Sequence, residues 1–462
     1  MGVRDLYNAA VLLIATYLIA RCNALPRRQA LVTAPSNPDG HWIDTWAAMP
    51  QLTEFTNLPP PPYNTTSVIF FNSTIRQTLH MSTGASQIRI RISNAFGLTD
   101  LPITAVTVAL PFNGSSGVSA IQPSTLQKVT FSGGESSITI PDGALAVSDP
   151  LDFPVQPLST ITVTMYLATG QNGTFITSHP GSRATSWFTL GDQVSATNLT
   201  GPFLNSTQHW YFLSAVEAWS PPNYRTWVII GDSITDGRGS DPDQNDRWPD
   251  LVYARMQSSN SSLLTSISMI NQAAGGNRIL YDGLGPNVLA RVDRDVLAHH
   301  GVRYAMIWEG VNDIGVADAT PANQTETYER LVSAYRQIAA RVHAFGVPLF
   351  AATITPFSAP GGNTTLQAYT SPLREQTRQK VNAFIRSSAT AGAGAGAGAG
   401  GIFDAVFDFD AILRNQSVPS QLADALQSGD YLHPNDAGYQ LLAENFDLSV
   451  FEKFNAGVLG FT

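Results

Sequence analysis

A change of hydrophobic period at Pro221-Pro222 constrains this chain more than any other feature, because the segments on either side of it require different kinds of sheet. From His41 to about Ser220, short alternating runs recur among Gly, Pro and Asn, as in Gln87-Ile88-Arg89-Ile90-Arg91-Ile92 and Thr160-Ile161-Thr162-Val163-Thr164-Met165-Tyr166. Alternation of period two sends every second side chain to one side of a strand. Each run is therefore expected to bury one face, in an all-β sandwich or jelly-roll-like domain over residues 41–220. Pro59 to Pro62 reads as a stiff extended loop. Beyond Pro222, short apolar runs alternate with segments of helical period, the signature of βαβ units and a parallel sheet. Strands are expected at Trp227 to Ile230, Ser266 to Asn271, Tyr304 to Trp308, Leu349 to Thr353 and Ala405 to Phe409. Pro249 suits the first turn of one helix, and Thr327 to Phe345 has the spacing of another. Residues 221–462 thus read as a three-layer α/β/α domain. Thr390 to Gly401 is almost pure Ala-Gly alternation, poor helix material, and is expected to be a flexible surface insertion.

Composition narrows the partners. Only 13% of the 462 residues are charged, and 26 Lys+Arg against 35 Asp+Glu leave a net charge of −9. A protein that binds nucleic acid by neutralising phosphates carries a basic surface, so nucleic acid is not an expected ligand. At the N-terminus, Arg4 precedes an apolar run from Ala9 to Ala20, and Cys22-Asn23-Ala24 offers small residues for cleavage after Ala24. Residues 1–24 read as a secretory signal, followed by a leader or linker over 25–40 that contains the dibasic pair Arg27-Arg28. The rival reading, a membrane anchor, falls short of the roughly 20 apolar residues a spanning helix needs. Stable membrane insertion is not expected. Cys22, the one cysteine, would leave with the signal, removing disulfides, thiolate nucleophiles and cysteine metal ligands together. Acceptor sequons at Asn64, Asn72, Asn113, Asn172, Asn198, Asn205, Asn260, Asn323, Asn363 and Asn415 suit a secreted eukaryotic glycoprotein. Phe451 to Thr462 is neither long nor apolar enough for a lipid-anchor signal.

The first expected strand of the second half runs directly into Gly231-Asp232-Ser233-Ile234-Thr235-Asp236-Gly237. A serine therefore stands at the carboxyl end of a parallel strand, where open α/β sheets hold their ligands. The phosphate-cradling glycine patterns are missing, as is a G-x-S-x-G elbow. Near the other end, Asp430-Tyr431-Leu432-His433-Pro434 sets a carboxylate three residues before a histidine. A hydrolytic serine needs a base for its proton, and a carboxylate on the base's far nitrogen holds the right tautomer. Asp430 and His433 can meet that need. Two further segments follow expected strands, Asn271-Gln272-Ala273-Ala274-Gly275-Gly276-Asn277 and Gly310-Val311-Asn312-Asp313. Acyl transfer passes through an oxyanion that preformed donors must meet, and the Gly276 amide, the Asn312 side chain and the Ser233 amide fit.

Taken in this order and context, the four segments resemble the SGNH (GDSL) hydrolase superfamily, over about Tyr224 to Leu448. The resemblance implies a flavodoxin-like fold with Ser233 as nucleophile, His433 as base, Asp430 as its orienting partner, and Gly276 and Asn312 completing the oxyanion hole. Gly275 is the alternative amide donor, with Gly276, directly before Asn277, favoured. The motif reads GDSI rather than GDSL, one aliphatic for another. GDSITDGRGS, NDRWPDL, NQAAGGNRIL, EGVNDIG, ATITPF and DYLHPNDAGY are similar to the branch containing xylan-esterase-like and arylesterase-like enzymes. The Ala-Gly tract lies outside that pattern. Arg91-Ile92-Ser93-Asn94-Ala95-Phe96-Gly97 is similar to a β-rich N-terminal domain that accompanies some of these hydrolases.

The remaining candidates read as structural. His41, His80, His179, His209, His299, His300 and His343 lack a metal-ligand partner at usable spacing, and His299-His300 is expected to cap a helix end, where the dipole favours positive charge. Asp232, Asp236, Glu309 and Asp313 admit a metal cluster but are expected to brace loops; serine chemistry requires neither metal nor cofactor. Trp248 and Trp308 are offered equally to a pocket wall and to the core. Trp42, Trp46, Phe70 and Phe71 admit a sugar-stacking platform, with core packing preferred. The expected function is a secreted serine esterase releasing short acyl groups, acetyl first, from carbohydrate or other small esters. A lipase or lysophospholipase acting on longer chains is the alternative, and a non-catalytic glycan-binding or adhesion protein is a third.

Overall fold

The β-rich half is built from two main antiparallel sheets. In this computed structural model, which describes residues 38–65, 67–389 and 401–458, one sheet has four strands in the order His41–Ala47, Leu213–Ser220, Ile88–Ser93, Leu145–Val147. The other has six, in the order Asn205–Thr207, Ser186–Leu190, Ser73–His80, Thr160–Leu167, Ala105–Ala109, Gln127–Val129. Ile88, Ile90 and Ile92 from one sheet and Ile75, Leu79, Val163 and Met165 from the other are all buried in a common core. The signal segment, residues 25–37 of the expected leader and residues 390–400 of the Ala-Gly tract lie outside the described residues.

The expectation that each alternating run buries a single face is corrected. Along Thr160–Leu167 the threonines are buried as well as the apolar residues, because loops cover the outer side of the sheet around a fully buried Arg76. Its guanidinium donates to Thr164 Oγ1 and to the carbonyls of Ser119 and Ala196. Along Ile88–Ser93 the arginines turn away from the core, yet they meet carboxylates rather than water: Arg89 pairs with Glu217, and Arg91 approaches both Asp44 and Glu217. Both carboxylates are fully buried.

The second half holds a five-stranded, wholly parallel sheet in the order Ile267–Ala273, Arg225–Gly231, Val302–Trp308, Leu349–Ala352, Ala405–Phe407. Helices Trp248–Gln257, Pro321–His343, Pro372–Ser387 and Asp436–Glu444 flank it. The long helix starts six residues before the expected Thr327, since Thr320 caps it by accepting from the Asn323 amide and Pro321 takes the first helical position. The last strand stops at Phe407 instead of Phe409, because the Asp408 side chain accepts from the Ala411 amide and turns the chain into helix Phe409–Leu413. Trp248 and Trp308 both belong to the core, where each packs edge-on against Phe409.

The halves are joined by polar and apolar contacts. Ala47 and Ala215 of the β half enter the core of the α/β half. His299 donates from Nδ1 to Asp44 Oδ2 at 2.9 Å, the His300 amide donates to the same oxygen at 2.7 Å, and His300 Nδ1 lies 3.2 Å from Glu217. The histidine pair does follow a helix end, the turn Asp293–Leu297, where the His299 amide donates to the Val296 carbonyl, and its side chains meet buried carboxylates of the other half.

Candidate active site

Three adjacent strands of the parallel sheet, Ile267–Ala273, Arg225–Gly231 and Val302–Trp308, release their chains at one edge. The loops that follow bring Gly276, Ser233 and Asn312 to one place. Ser233 opens a single helical turn, Ser233–Asp236, whose start is fastened by the Asp232 side chain accepting from the Ile234 amide. Its hydroxyl is 2.7 Å from His433 Nε2, although 200 residues separate them in the chain. His433 Nδ1 is 2.6 Å from Asp430 Oδ2, and Asp430 Oδ1 accepts from the amides of Leu432 and His433. That turn needs Tyr431 at φ 59°, a left-handed backbone that folds the carboxylate back onto the amides after it.

Burial is the main influence on His433 and outweighs the attraction of Asp430, so its imidazole sits below its ordinary value of 6.5. Burial alone would raise Asp430, but the hydrogen bond and charge of His433, with the two amides, hold its carboxyl well below the usual carboxylate range. The pair is thus neutral imidazole beside carboxylate at neutral pH. Nδ1–H faces Asp430, and the Nε2 lone pair faces the serine proton. Ser233 and His433 are 8% and 5% exposed, so the nucleophile is reached only through the cavity in front of it.

The oxyanion donors are arranged by neighbours. Gly275 N–H is occupied, donating to Asp236 Oδ2 at 2.9 Å, and Gly276 N–H has no partner among the described residues. This is the physical ground for preferring Gly276. It lies at φ 73°, and a Cβ there would come within 2.5 Å of Leu284. Asn312 donates from Nδ2 to the Asn277 carbonyl at 2.9 Å, and its Oδ1 accepts from the Tyr369 hydroxyl at 3.0 Å. These two contacts fix which way the amide faces and leave its second N–H for substrate.

The four acidic neighbours do not converge on a point. Asp313 accepts from the amides of Ile279 and Leu280, bracing the chain after Asn277, and burial pushes it up to about 6. Asp232 caps the serine turn and is pushed up to about 7, chiefly by burial. Glu309 lies beside Arg291, and Asp236 beside His179. The β half, too, reaches the site. Glu54, Asn57, Arg183 and His209 line a cavity of about 530 Å³ together with Ser233, Asn312, Asp430 and His433. Sequence reasoning missed Tyr369 and all of these β-half residues, which no local motif marks. Of the aromatics offered as a sugar platform, Trp46 and Phe70 are buried and Trp42 packs on Trp219, while Phe71 is 59% exposed; none of the four lines this cavity.

Residues 228–446 match the family described as GDSL-like lipase/acylhydrolase. No curated protein matches the chain. Among solved structures, similarity extends to a candidate arylesterase from Agrobacterium tumefaciens str. C58, at 19% identity over 50% of this chain and 99% of that one with a TM-score of 0.35. An acetylxylan esterase from Geobacillus stearothermophilus is similar at 18% identity over 52% and 95%, with a TM-score of 0.33. A GDSL-like lipase from Bacteroides thetaiotaomicron VPI-5482 is similar at 16% identity over 48% and 84%, with a TM-score of 0.32.

Proposed function

Residues 228–446 form a GDSL-like lipase/acylhydrolase domain and the chain is a carboxylic ester hydrolase; from that premise we propose that it is a secreted serine esterase that removes short acyl groups, acetyl first, from carbohydrate or other small polar esters. Ser233 Oγ attacks the ester carbonyl while His433 Nε2 takes its proton. The oxyanion is met by the Ser233 and Gly276 amides and Asn312 Nδ2. Collapse of the intermediate breaks the bond to the alcohol, which leaves with the proton from His433. Water then gives a proton to His433, attacks the acyl-enzyme and releases the acid, restoring Ser233.

The observation that carries the substrate reading is the cavity lining. Glu54, Asn57, Arg183, His209, Arg238 and Gln367 supply polar groups from both halves, set among the apolar surfaces of Pro180, Leu284, Leu432 and the Tyr369 ring. A long acyl chain needs a continuous apolar wall to replace water along its length, at roughly 0.8 kcal/mol per buried methylene. A short acyl group on a polyhydroxylated alcohol instead finds hydrogen-bonding partners. Secretion is supported by the N-terminal signal pattern and by the ten sequon asparagines, none of which is buried. Among the described residues no helix is long and apolar enough to cross a membrane.

The test is turnover of p-nitrophenyl acetate, butyrate and decanoate and of acetylated xylan by the wild type and Ser233→Ala. Serine-dependent rates highest for acetate, with acetate released from the xylan, are expected. Rates that climb with chain length would transfer the reading to a lipase, and equal rates for wild type and variant would remove the serine mechanism.

A further inference from the structure

We propose that His179, contributed by the β half, is a positioning residue for the oxyanion hole, acting through Asp236 on the loop that presents the Gly276 amide. The inference rests on the esterase reading of the site. His179 is 3% exposed and lies face to face with Trp210, the ring centroids 5.8 Å apart. Its Nδ1 is 3.0 Å from the Met49 carbonyl, which can only accept, so Nδ1 carries a proton. Its Nε2 is 2.9 Å from Asp236 Oδ1. The other oxygen of Asp236 accepts from the Gly275 amide. One carboxylate therefore links the β half to the residue immediately before the donor amide.

The backbone around His179 is shaped for this contact. A Cβ on Gly181 would fall 1.7 Å from Asp236 Oδ2, so only glycine lets the β-half chain come this close. Arg247 adds a second tie by donating to the Ser182 carbonyl at 2.9 Å. Asp236 sits three residues after Ser233 on the same helical turn, so the contact also fixes that turn against the glycine loop. An oxyanion donor works only if it is in place before charge develops, and a displacement of about 1 Å can cost on the order of a hundredfold in rate. By this reading the β half is part of the catalytic unit, since it sets the distance between the Gly276 and Ser233 amides.

Two substitutions separate positioning from mere tethering. His179→Gln keeps an N–H near the Nε2 position, toward Asp236, and gives up Met49. His179→Asn keeps an N–H near the Nδ1 position, toward Met49, and gives up Asp236. The measurements are kcat and KM on p-nitrophenyl acetate and the inhibition constant of phenylboronic acid, which forms a tetrahedral adduct on the serine. All are made on full-length protein with wild-type near-ultraviolet circular dichroism. We expect kcat to fall about tenfold to a hundredfold in the Asn variant, KM to stay within about threefold, boronate inhibition to weaken in parallel with kcat, and the Gln variant to recover most of the loss. If the Asn variant does not fold, Asp236→Ala carries the same expectation from the other side of the contact. An Asn variant within twofold of wild type, or a Gln variant slower than the Asn variant, overturns the proposal while Ser233→Ala stays inactive and the esterase reading stands. Wild-type turnover by Ser233→Ala would overturn both.

Discussion

His433 is held neutral by burial, and that has a measurable sign. Its conjugate acid has a pKa below 6.5 in the folded protein, so the base is fully available at neutral pH and is lost as pH falls through that lower value. The expected profile of kcat/KM for p-nitrophenyl acetate is level around pH 7 and descends on the acid side with a midpoint below 6.5; a rate unchanged from about pH 8 to about pH 4 would take His433 out of the role. Asn312→Ala removes one oxyanion donor and is expected to lower kcat on the order of a hundredfold or more; near-normal turnover would refute the assignment. Tyr369→Phe removes the hydroxyl that fixes the Asn312 amide. A hydrogen bond of about 1 kcal/mol translates to about a fivefold loss in kcat at unchanged KM, readable in steady-state kinetics. Ser233, Asn312, Asp430 and His433 were legible because each sits in a short segment whose residue types announce its chemistry. Tyr369 was not, since it lies 57 residues from Asn312 in a loop without periodicity.

At the scale of elements, strand order does the assembling. The strand carrying Ser233 lies between those leading to Gly276 and Asn312, so three loops far apart in sequence open beside one another. Periodicity located all five strands and missed their ends where side chains intervene, as at Asp408, because caps are local hydrogen bonds that hydrophobic spacing does not register. Gly276→Ala tests the loop itself. A left-handed alanine costs about 1–2 kcal/mol, and its methyl would press on Leu284. The expected result is a lower midpoint in thermal unfolding together with reduced kcat; an unchanged kcat would return the donor role to another amide. Trp248 and Trp308 show the limit of composition at this scale. Both stand beside site motifs in the chain, yet the sheet turns them inward, and ring packing with Phe409 accounts for them.

For the whole molecule, the decisive region is the seam between the halves. Glu217 is fully buried on the β half and faced by Arg89, Arg91 and His300. Removing one partner from such a buried group typically costs about 3–5 kcal/mol, so Glu217→Gln is expected to lose stability of that order in urea unfolding, and a change below about 0.5 kcal/mol would show the seam to be inert. The hydrogen bond to Glu217 raises the pKa of His300 above 6.5 despite partial burial. Its contribution is therefore complete below pH 6.5 and is lost as pH rises through the higher folded value. Unfolding free energy is expected to fall as pH rises above 6.5, and the fall to shrink in His300→Gln. An equal drop in that variant would assign the effect elsewhere. The amino-acid sequence by itself determined the two sheet types and marked the serine, histidine, aspartate and asparagine that converge in the candidate site, because period and motif are properties of neighbouring residues. Tertiary structure alone decided that the arginines of Ile88–Ser93 would meet the buried carboxylates of Asp44 and Glu217. It also decided that Glu54, Asn57, Arg183 and His209 would wall the cavity, and that His179 would meet Asp236. Those contacts join residues tens to hundreds of positions apart, and only close packing of two cores brings them within hydrogen-bonding range.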